Sequence, residues 1–372
     1  MNILFLDQFG GLGGAQRCLL DLLPAMAGHG WTARVAIPED GPLAAKVRAI
    51  GVAVDSISSG PYNSTRKTLL DCARFTLETP RLAKRIASLA ASHAIHLLYV
   101  NGPRLLPASA IVARHRRVPL IFHCHVHLGQ PAAIRAAGWS LAHSRATMIG
   151  CCHFAAAPLR PYMKPGRVHV VYNGTEDLSR PKPVPGRLLR IAIVGRIEPD
   201  KGQLDFVQAA QILNARFPDL RFLVVGAPLF SGAAYFDRVR RAAQGLPIEF
   251  QGWREDIAET LSHTDLLIVP SFPNDPNPRV IMEAFSARVP VVAFPSGGIP
   301  EILEDGETGF LTAGRGPEAL ASRIAEVLSM DPQIGNAITG RARAAWERAY
   351  TLDRFQRDIA ARIAQAVSRT FS

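Results

Sequence analysis

Short apolar runs alternate with longer amphipathic ones along this chain, and that alternation leaves few folds open. Asn2 to Asp7, Thr32 to Ile37, Leu97 to Val100 and Leu120 to His125 read as strands. The first is followed by Gln16 to Gly28, with Leu19, Leu20, Leu22, Leu23 and Met26 apolar, as a helix packed on a sheet requires. Strands apolar on both faces and separated by helices imply a parallel sheet with crossover helices. The pattern stops at Arg180 to Gly186, where three prolines fall in seven residues and neither helix nor central strand can continue. It then restarts with a strand at Leu189 to Val194, a helix at Gln203 to Ala215, and strands at Arg221 to Val225, Leu266 to Val269 and Val289 to Ala293. The expected fold is α/β, with two Rossmann-like doubly wound domains facing a cleft; ligands of such sheets bind beyond the carboxyl ends of the strands. The expected boundaries are 1–180 for an N-terminal domain, 181–188 for a linker, 189–345 for a C-terminal domain, and 346–372 for a terminal helix that could cross back to the first domain.

At 372 residues the chain can hold two cores. Its N-terminus has no basic segment before the apolar run and meets Asp7 early, unlike a signal peptide. Five cysteines without a C-x-x-C pair fit a reduced cytosol better than a disulfide scaffold or zinc array. The net charge of +11 is one-sided. Up to residue 185 there are 21 Lys+Arg against 9 Asp+Glu; beyond it there are 21 against 22. No acid lies between Thr79 and Thr175. A basic first half implies an anionic partner, such as nucleic acid, a membrane face or a phosphate-bearing substrate, or else simply a basic domain.

Four loops at strand ends carry candidate chemistry. Gly10-Gly11-Leu12-Gly13-Gly14 precedes the first helix. It reads either as a tight turn or as backbone N–H groups brought close to a phosphate, and it lacks the third glycine of a nicotinamide fingerprint. Gly195-Arg196-Ile197-Glu198-Pro199-Asp200-Lys201-Gly202 places two cations five residues apart, either a solvated loop or a pair able to neutralise a diphosphate without a metal. In Pro270 to Ala284, Pro278 suits the first turn of a helix, with Asp275 before it and Glu283 within it; two acids flanking a helix N-terminus can hold hydroxyls while the backbone faces an anion. Phe294-Pro295-Ser296-Gly297-Gly298-Ile299-Pro300-Glu301 is a further glycine-rich strand end. A fifth group, His123, His125 and His127, lies at the end of a strand, and alternation puts all three on one face. Alternating histidines can bind zinc, but no fourth ligand follows from the spacing.

The order of these pieces resembles the GT-B retaining glycosyltransferases of the family-four type. The family's V-G-R-x-x-x-x-K-G looks like Val194-Gly195-Arg196 with Lys201-Gly202, and its N-G-V-D strand end is similar to Asn173-Gly174-Thr175-Glu176. Its F-x-G looks like Phe250-Gln251-Gly252-Trp253. Its E-x7-E-A resembles Asp275 to Glu283-Ala284, followed by Pro290-Val291-Val292-Ala293, Gly297-Gly298-Ile299-Pro300-Glu301 and Thr308-Gly309-Phe310. The resemblance implies transfer of a hexosyl unit from a nucleoside-diphosphate sugar to a hydroxyl of a glycan or lipid-linked acceptor, with retention and without a metal or other cofactor. It implies that Arg196 and Lys201 bind the diphosphate, Glu283 the ribose hydroxyls, Asp275 the transferred sugar and Trp253 the base side. Gly13 and Gly14 would close over the phosphates. Gly195, Arg279 and Val280 fall to the same donor site, and His125, before His123, is the match for a histidine beside the donor sugar. Asp275 stands one methylene short of the family's Glu, and Asn277-Pro278 replaces a common Phe-Gly, which bears on sugar preference.

The remaining expectations concern partners. The amphipathic run Arg81 to His93, with Leu82, Ile86 and Leu89 on one face and Arg81, Lys84 and Arg85 beside it, suits a surface helix on anionic lipid. The chain is therefore expected in the cytoplasm, peripheral on the inner membrane face, making a polysaccharide or lipid-linked product. Nucleic acid is disfavoured because few aromatics interleave with the basic residues. Two rivals stand beside transfer: a related nucleotide-sugar epimerase, and a non-catalytic nucleotide-sugar-binding protein.

Overall fold

The computed structural model describes residues 1–38, 41–57, 69–181, 189–229 and 233–371, so the expected linker lies outside the described residues except for Pro181. The chain divides into two compact units, Met1–Asn173 with Leu352–Ser372, and Gly174–Thr351.

The first unit is built on a parallel seven-stranded sheet. Its strands are β1 (Asn2–Leu6), β2 (Thr32–Ile37), β3 (Ala53–Ser56), β4 (Leu97–Val100), β5 (Leu120–Cys124), β6 (Thr147–Gly150) and β7 (Val168–Val170), in the order β3-β2-β1-β4-β5-β6-β7. The order reverses between β1 and β4, so the carboxyl ends of those neighbours form the switch point where such sheets bind ligands. Side chains from the two faces of the sheet enter separate cores. One holds Leu4, Leu98 and Phe122, the other Ile3, Phe5 and Tyr99. The helix Leu352–Phe371 supplies Phe355, Ile359 and Ile363 to the second core, so a segment more than 340 residues from β1 completes the first unit.

The second unit carries β8 (Arg190–Val194), β9 (Arg221–Val225), β10 (Ile248–Gly252), β11 (Leu266–Val269), β12 (Val291–Ala293) and β13 (Phe310–Leu311) in the order β10-β9-β8-β11-β12-β13, all parallel. Its switch point lies between β8 and β11.

Several boundaries differ from the sequence reading. The chain enters the second unit at Gly174, ahead of the proline-rich run, because the Thr175 N–H bonds the Tyr350 carbonyl at 2.9 Å and Trp346 Nε1 donates to Thr175 Oγ1 at 2.9 Å. It leaves at Thr351 rather than 345, and the expected single helical stretch is two helices, Pro332–Ala349 and Leu352–Phe371. The amphipathic run belongs to a longer helix, Leu69–Ser92, whose Leu82 and Ile86 are buried in the first unit's own core. Its apolar stripe is therefore not available to insert into lipid; Arg81, Lys84 and Arg85 remain exposed. Among the described residues, no helix is long and apolar enough to cross a membrane.

Candidate functional site

In the second unit the loops after β8, β9 and β10 are stitched side by side. The Gly195 N–H bonds the Val225 carbonyl (3.0 Å), the Ile197 N–H bonds that of Ala227 (3.0 Å), and the Gly226 N–H bonds that of Gly252 (2.8 Å). Gly226 has φ +146°, and a Cβ there would lie 1.8 Å from the Gly195 carbonyl oxygen. Only glycine permits that approach, which holds the backbone leading into Arg196. Sequence reading passed over Gly226, although Val224-Val225-Gly226 repeats the strand-then-glycine pattern of Ile193-Val194-Gly195.

The loops after β8 and β11 meet across the switch point. Gly202 (φ +75°) comes so near the loop after β11 that a Cβ would lie 2.2 Å from the Pro270 carbonyl oxygen, and the Phe272 N–H donates to the Asp200 carbonyl at 2.9 Å. Lys201 Nζ then reaches Asp275 Oδ2 at 2.5 Å; the side chains are 22% and 9% exposed. The Asp275 carbonyl is in turn held by the Gly298 N–H at 3.0 Å, and Gly297 (φ +60°) packs where a Cβ would strike it at 2.2 Å. The Gly297-Gly298 pair thus fixes the backbone that presents Asp275. Arg196, on the same loop as Lys201, lies 3.6 Å from Asp200.

The helix Arg279–Ser286 begins one residue later than expected, with Pro278 at its N-cap. The first-turn N–H groups of Arg279 and Val280 are therefore retained at the positive end of the helix. Glu283 is buried in that helix, and Arg279 Nε lies 3.8 Å from its Oε1. The far end is anchored by Arg343, which donates to the Ser286 carbonyl (2.6 Å) and, with two nitrogens, to the Asp177 carboxylate (2.7 Å each). The hydrogen bonds from Arg343, ahead of any other cause, hold the Asp177 carboxyl well below the ordinary carboxylate range. Gly195, Arg196, Lys201, Asp275, Arg279, Val280 and Glu283 thus share one end of the second sheet. Trp253, 38% exposed, follows β10 two strands away. It lines a separate groove of about 520 Å³ with Arg190, Glu249, Arg254 and His263, which extends to the start of β8 rather than its end.

The first unit places its own candidates around the β1/β4 switch point. Gly13 is the N-cap of the helix Gly14–Gly28, and its N–H bonds Gln16 Oε1 at 3.1 Å. His123 and His125 lie together as expected, their ring centroids 3.9 Å apart, but His127, beyond the end of β5 at Cys124, stacks on Phe154 instead (4.0 Å). Each ring takes a different partner. His123 Nδ1 pairs with Tyr99 Oη (2.7 Å), His125 Nε2 with Asn101 Oδ1 (2.9 Å) and His127 Nδ1 with the Phe154 carbonyl (2.9 Å). Burial first, then the neighbouring His125, pushes the His123 pKa well down, so that ring stays neutral. Among the described residues, no group of three or more metal-ligating side chains comes together. Cys151 and Cys152 are buried in packing, and burial pushes the nearby Cys124 thiol up to about 12.

Comparison with known proteins bears on both units. The family described as Glycosyltransferase Family 4 matches residues 12–177, and that described as Glycosyl transferases group 1 matches residues 189–330. A D-inositol 3-phosphate glycosyltransferase of Corynebacterium glutamicum is 33% identical over 193 residues, covering 48% of this chain and 46% of that protein. One from Mycolicibacterium smegmatis is 32% identical over 169 residues, covering 44% and 38%. The chain spans less than half the length of these curated relatives. Anabaena HepE, solved in complex with UDP-glucose, superposes with a TM-score of 0.83 at 25% identity, over 98% of this chain and all of that one.

Proposed function

The chain belongs to glycosyltransferase family 4, with the GT-B fold of its structural neighbours, and from that premise we propose that it transfers a hexosyl unit from a nucleoside-diphosphate sugar, UDP-linked first among the candidates, to an acceptor hydroxyl. The observation that carries the reading is the meeting of Arg196, Lys201 and the N-terminus of the helix Arg279–Ser286 at one switch point. Charge grows on the diphosphate as its bond to the sugar breaks. A guanidinium, an ammonium and a helix N-terminus fixed in advance stabilise that charge electrostatically, in the place a divalent ion would otherwise take. Glu283, four residues into the same helix, accepts from ribose hydroxyls, and Asp275 from a hydroxyl of the sugar. Lys201 Nζ is paired with Asp275, so donor binding exchanges one anion for another at Nζ. Retention of configuration is part of this proposal and rests on the family resemblance.

For the acceptor we favour a lipid-linked or glycan hydroxyl, because the first unit is the basic one and Arg81, Lys84 and Arg85 lie exposed on one helix. With Leu82 and Ile86 committed to the core, attachment to an anionic membrane would be electrostatic alone. Co-sedimentation with phosphatidylglycerol vesicles should then vanish at high salt; binding that survives salt contradicts this form of attachment.

The test of the reaction is calorimetric titration with UDP, GDP and their sugar conjugates in the presence of a chelator, followed by turnover of whichever conjugate binds. Binding by wild type and its loss in Lys201→Met and Glu283→Gln are expected. Equal affinity in all three proteins removes the reading.

A further inference from the structure

A buried chain of hydrogen bonds lies beneath the first unit's switch point and is not absorbed by the chemistry above. Asp7, fully buried just after β1, accepts from the Phe9 N–H (2.9 Å) and Gln16 Nε2 (2.9 Å) at Oδ1, and from Asn101 Nδ2 (2.6 Å) at Oδ2. Gln16 Nε2 also reaches Oδ2 at 3.1 Å. Gln16 and Asn101 are themselves buried. Backbone groups fix the direction of both amides. Gln16 Oε1 accepts the Gly13 N–H, which turns its Nε2 toward Asp7. Asn101 Nδ2 also donates to the Ala15 carbonyl at 3.2 Å, which turns its Oδ1 toward His125 Nε2. An amide oxygen can only accept, so His125 Nε2 must carry a proton and a neutral His125 keeps its lone pair on Nδ1. One carboxylate therefore sets the tautomer of a histidine on the loop after β5 and the N-cap of the first helix. The hydrogen bond from Asn101 to Asp7 joins the ends of β4 and β1, 94 residues apart in sequence.

We propose that Asp7 is a positioning residue for the transfer, holding Asn101 so that His125 keeps an unprotonated Nδ1 and a protonated Nε2; this rests on the reading that His125 attends the donor sugar. Only a carboxylate meets the requirement. In Asp7→Asn the amide oxygen stays with the Phe9 N–H, which places its NH₂ against Asn101 Nδ2, donor against donor. Asn101 relieves that clash by turning over, giving up its longer 3.2 Å bond to the Ala15 carbonyl, presenting NH₂ to His125 Nε2 and driving the ring to the Nδ1–H tautomer. The Gln16 contact at Oδ1 survives that change.

The experiment is NMR on the full chain labelled with ¹⁵N-histidine, the His125 signals being assigned by their loss in His125→Gln. In wild type, the His125 ring nitrogens should show a protonated Nε2 and an unprotonated Nδ1. In Asp7→Asn the pattern should move toward the opposite tautomer, with kcat down on the order of a hundredfold and the UDP dissociation constant unchanged. Asp7→Asn with Asn101→Asp exchanges amide and carboxylate and should restore the protonated Nε2. A wild-type His125 protonated at Nδ1 overturns the proposal, and this holds even if the variants fail to fold. An unchanged tautomer in folded Asp7→Asn overturns it too. A tautomer that moves while kcat does not overturns the tie to transfer. If wild type turns over no sugar nucleotide, the proposed reaction fails, and the spectra still decide whether Asp7 sets the ring.

Discussion

Replacing Gly226 by alanine should damage the second unit twice over. The residue sits at φ +146°, where a side chain costs about 1–3 kcal/mol of backbone strain. The new Cβ would also begin 1.8 Å from the Gly195 carbonyl oxygen and 2.9 Å from its carbon, so two backbone segments must part by about 1.2 Å to reach the 3.0 Å that real Cβ atoms keep. Overpacking of that kind adds about 1–3 kcal/mol. A total on the order of 3 kcal/mol, at about 2–4 °C per kcal/mol for a unit of this size, lowers the melting temperature by roughly 6–12 °C. The parting moves Gly195 and hence Arg196, so one charge-assisted contact to a diphosphate is lost or stretched. That is worth about 1.5–3 kcal/mol, or roughly ten- to a hundredfold in UDP affinity. Gly245→Ala is the internal control, because Gly245 has φ +77° with open space around its Cβ position and so bears strain without a clash. Calorimetric melting and UDP titration of both variants separate the two effects. If both lose the same few degrees and bind UDP equally, the close approach of the two strand-end loops has been misread.

Two further outcomes follow from the ion pairs. Lys201→Met and Asp275→Asn each leave a largely buried charge uncompensated and should cost about 2–4 kcal/mol, while the double variant recovers much of it; a thermodynamic cycle with coupling near zero would show that the 2.5 Å contact does not form in solution. Asp275→Asn should also bind UDP more tightly than wild type, since it releases Lys201. For Asp177 the folded pKa lies below its unfolded value near 3.8, so its stabilisation is complete above that value and is lost as pH falls through the folded one. The melting-temperature difference between wild type and Asp177→Asn should therefore stay constant from about pH 5 to pH 8 and shrink below about pH 4. A difference that instead changes across neutral pH would mean that Arg343 is not its partner.

What could be read from the sequence was local. Eight of the thirteen described strands announced themselves as short apolar runs, whereas β3, β6, β7, β10 and β13, short or carrying polar residues, did not. The loops bearing Gly195 to Gly202, Asp275 and Glu283 could be placed at strand ends because glycine, proline and charge mark such ends within a few residues. The helix Arg279–Ser286 was misplaced by only one residue, since proline suits both N-cap and first turn.

What the sequence alone determined, then, was the α/β alternation, the count of two sheets and the chemical character of each strand-end loop, all of which depend on neighbours along the chain. Strand order decided the rest, and no run of neighbours encodes it. The reversal between β8 and β11 brings Lys201 to Asp275 across 74 residues, and that between β1 and β4 seats Asn101 on Asp7. The same long-range packing spends the apolar stripe of Leu69–Ser92 on the first unit's core, returns Leu352–Phe371 to that unit, and makes a glycine of Gly226 obligatory. A buried polar group or a close backbone approach is defined by the partner opposite, and that partner exists only once the sheets have formed.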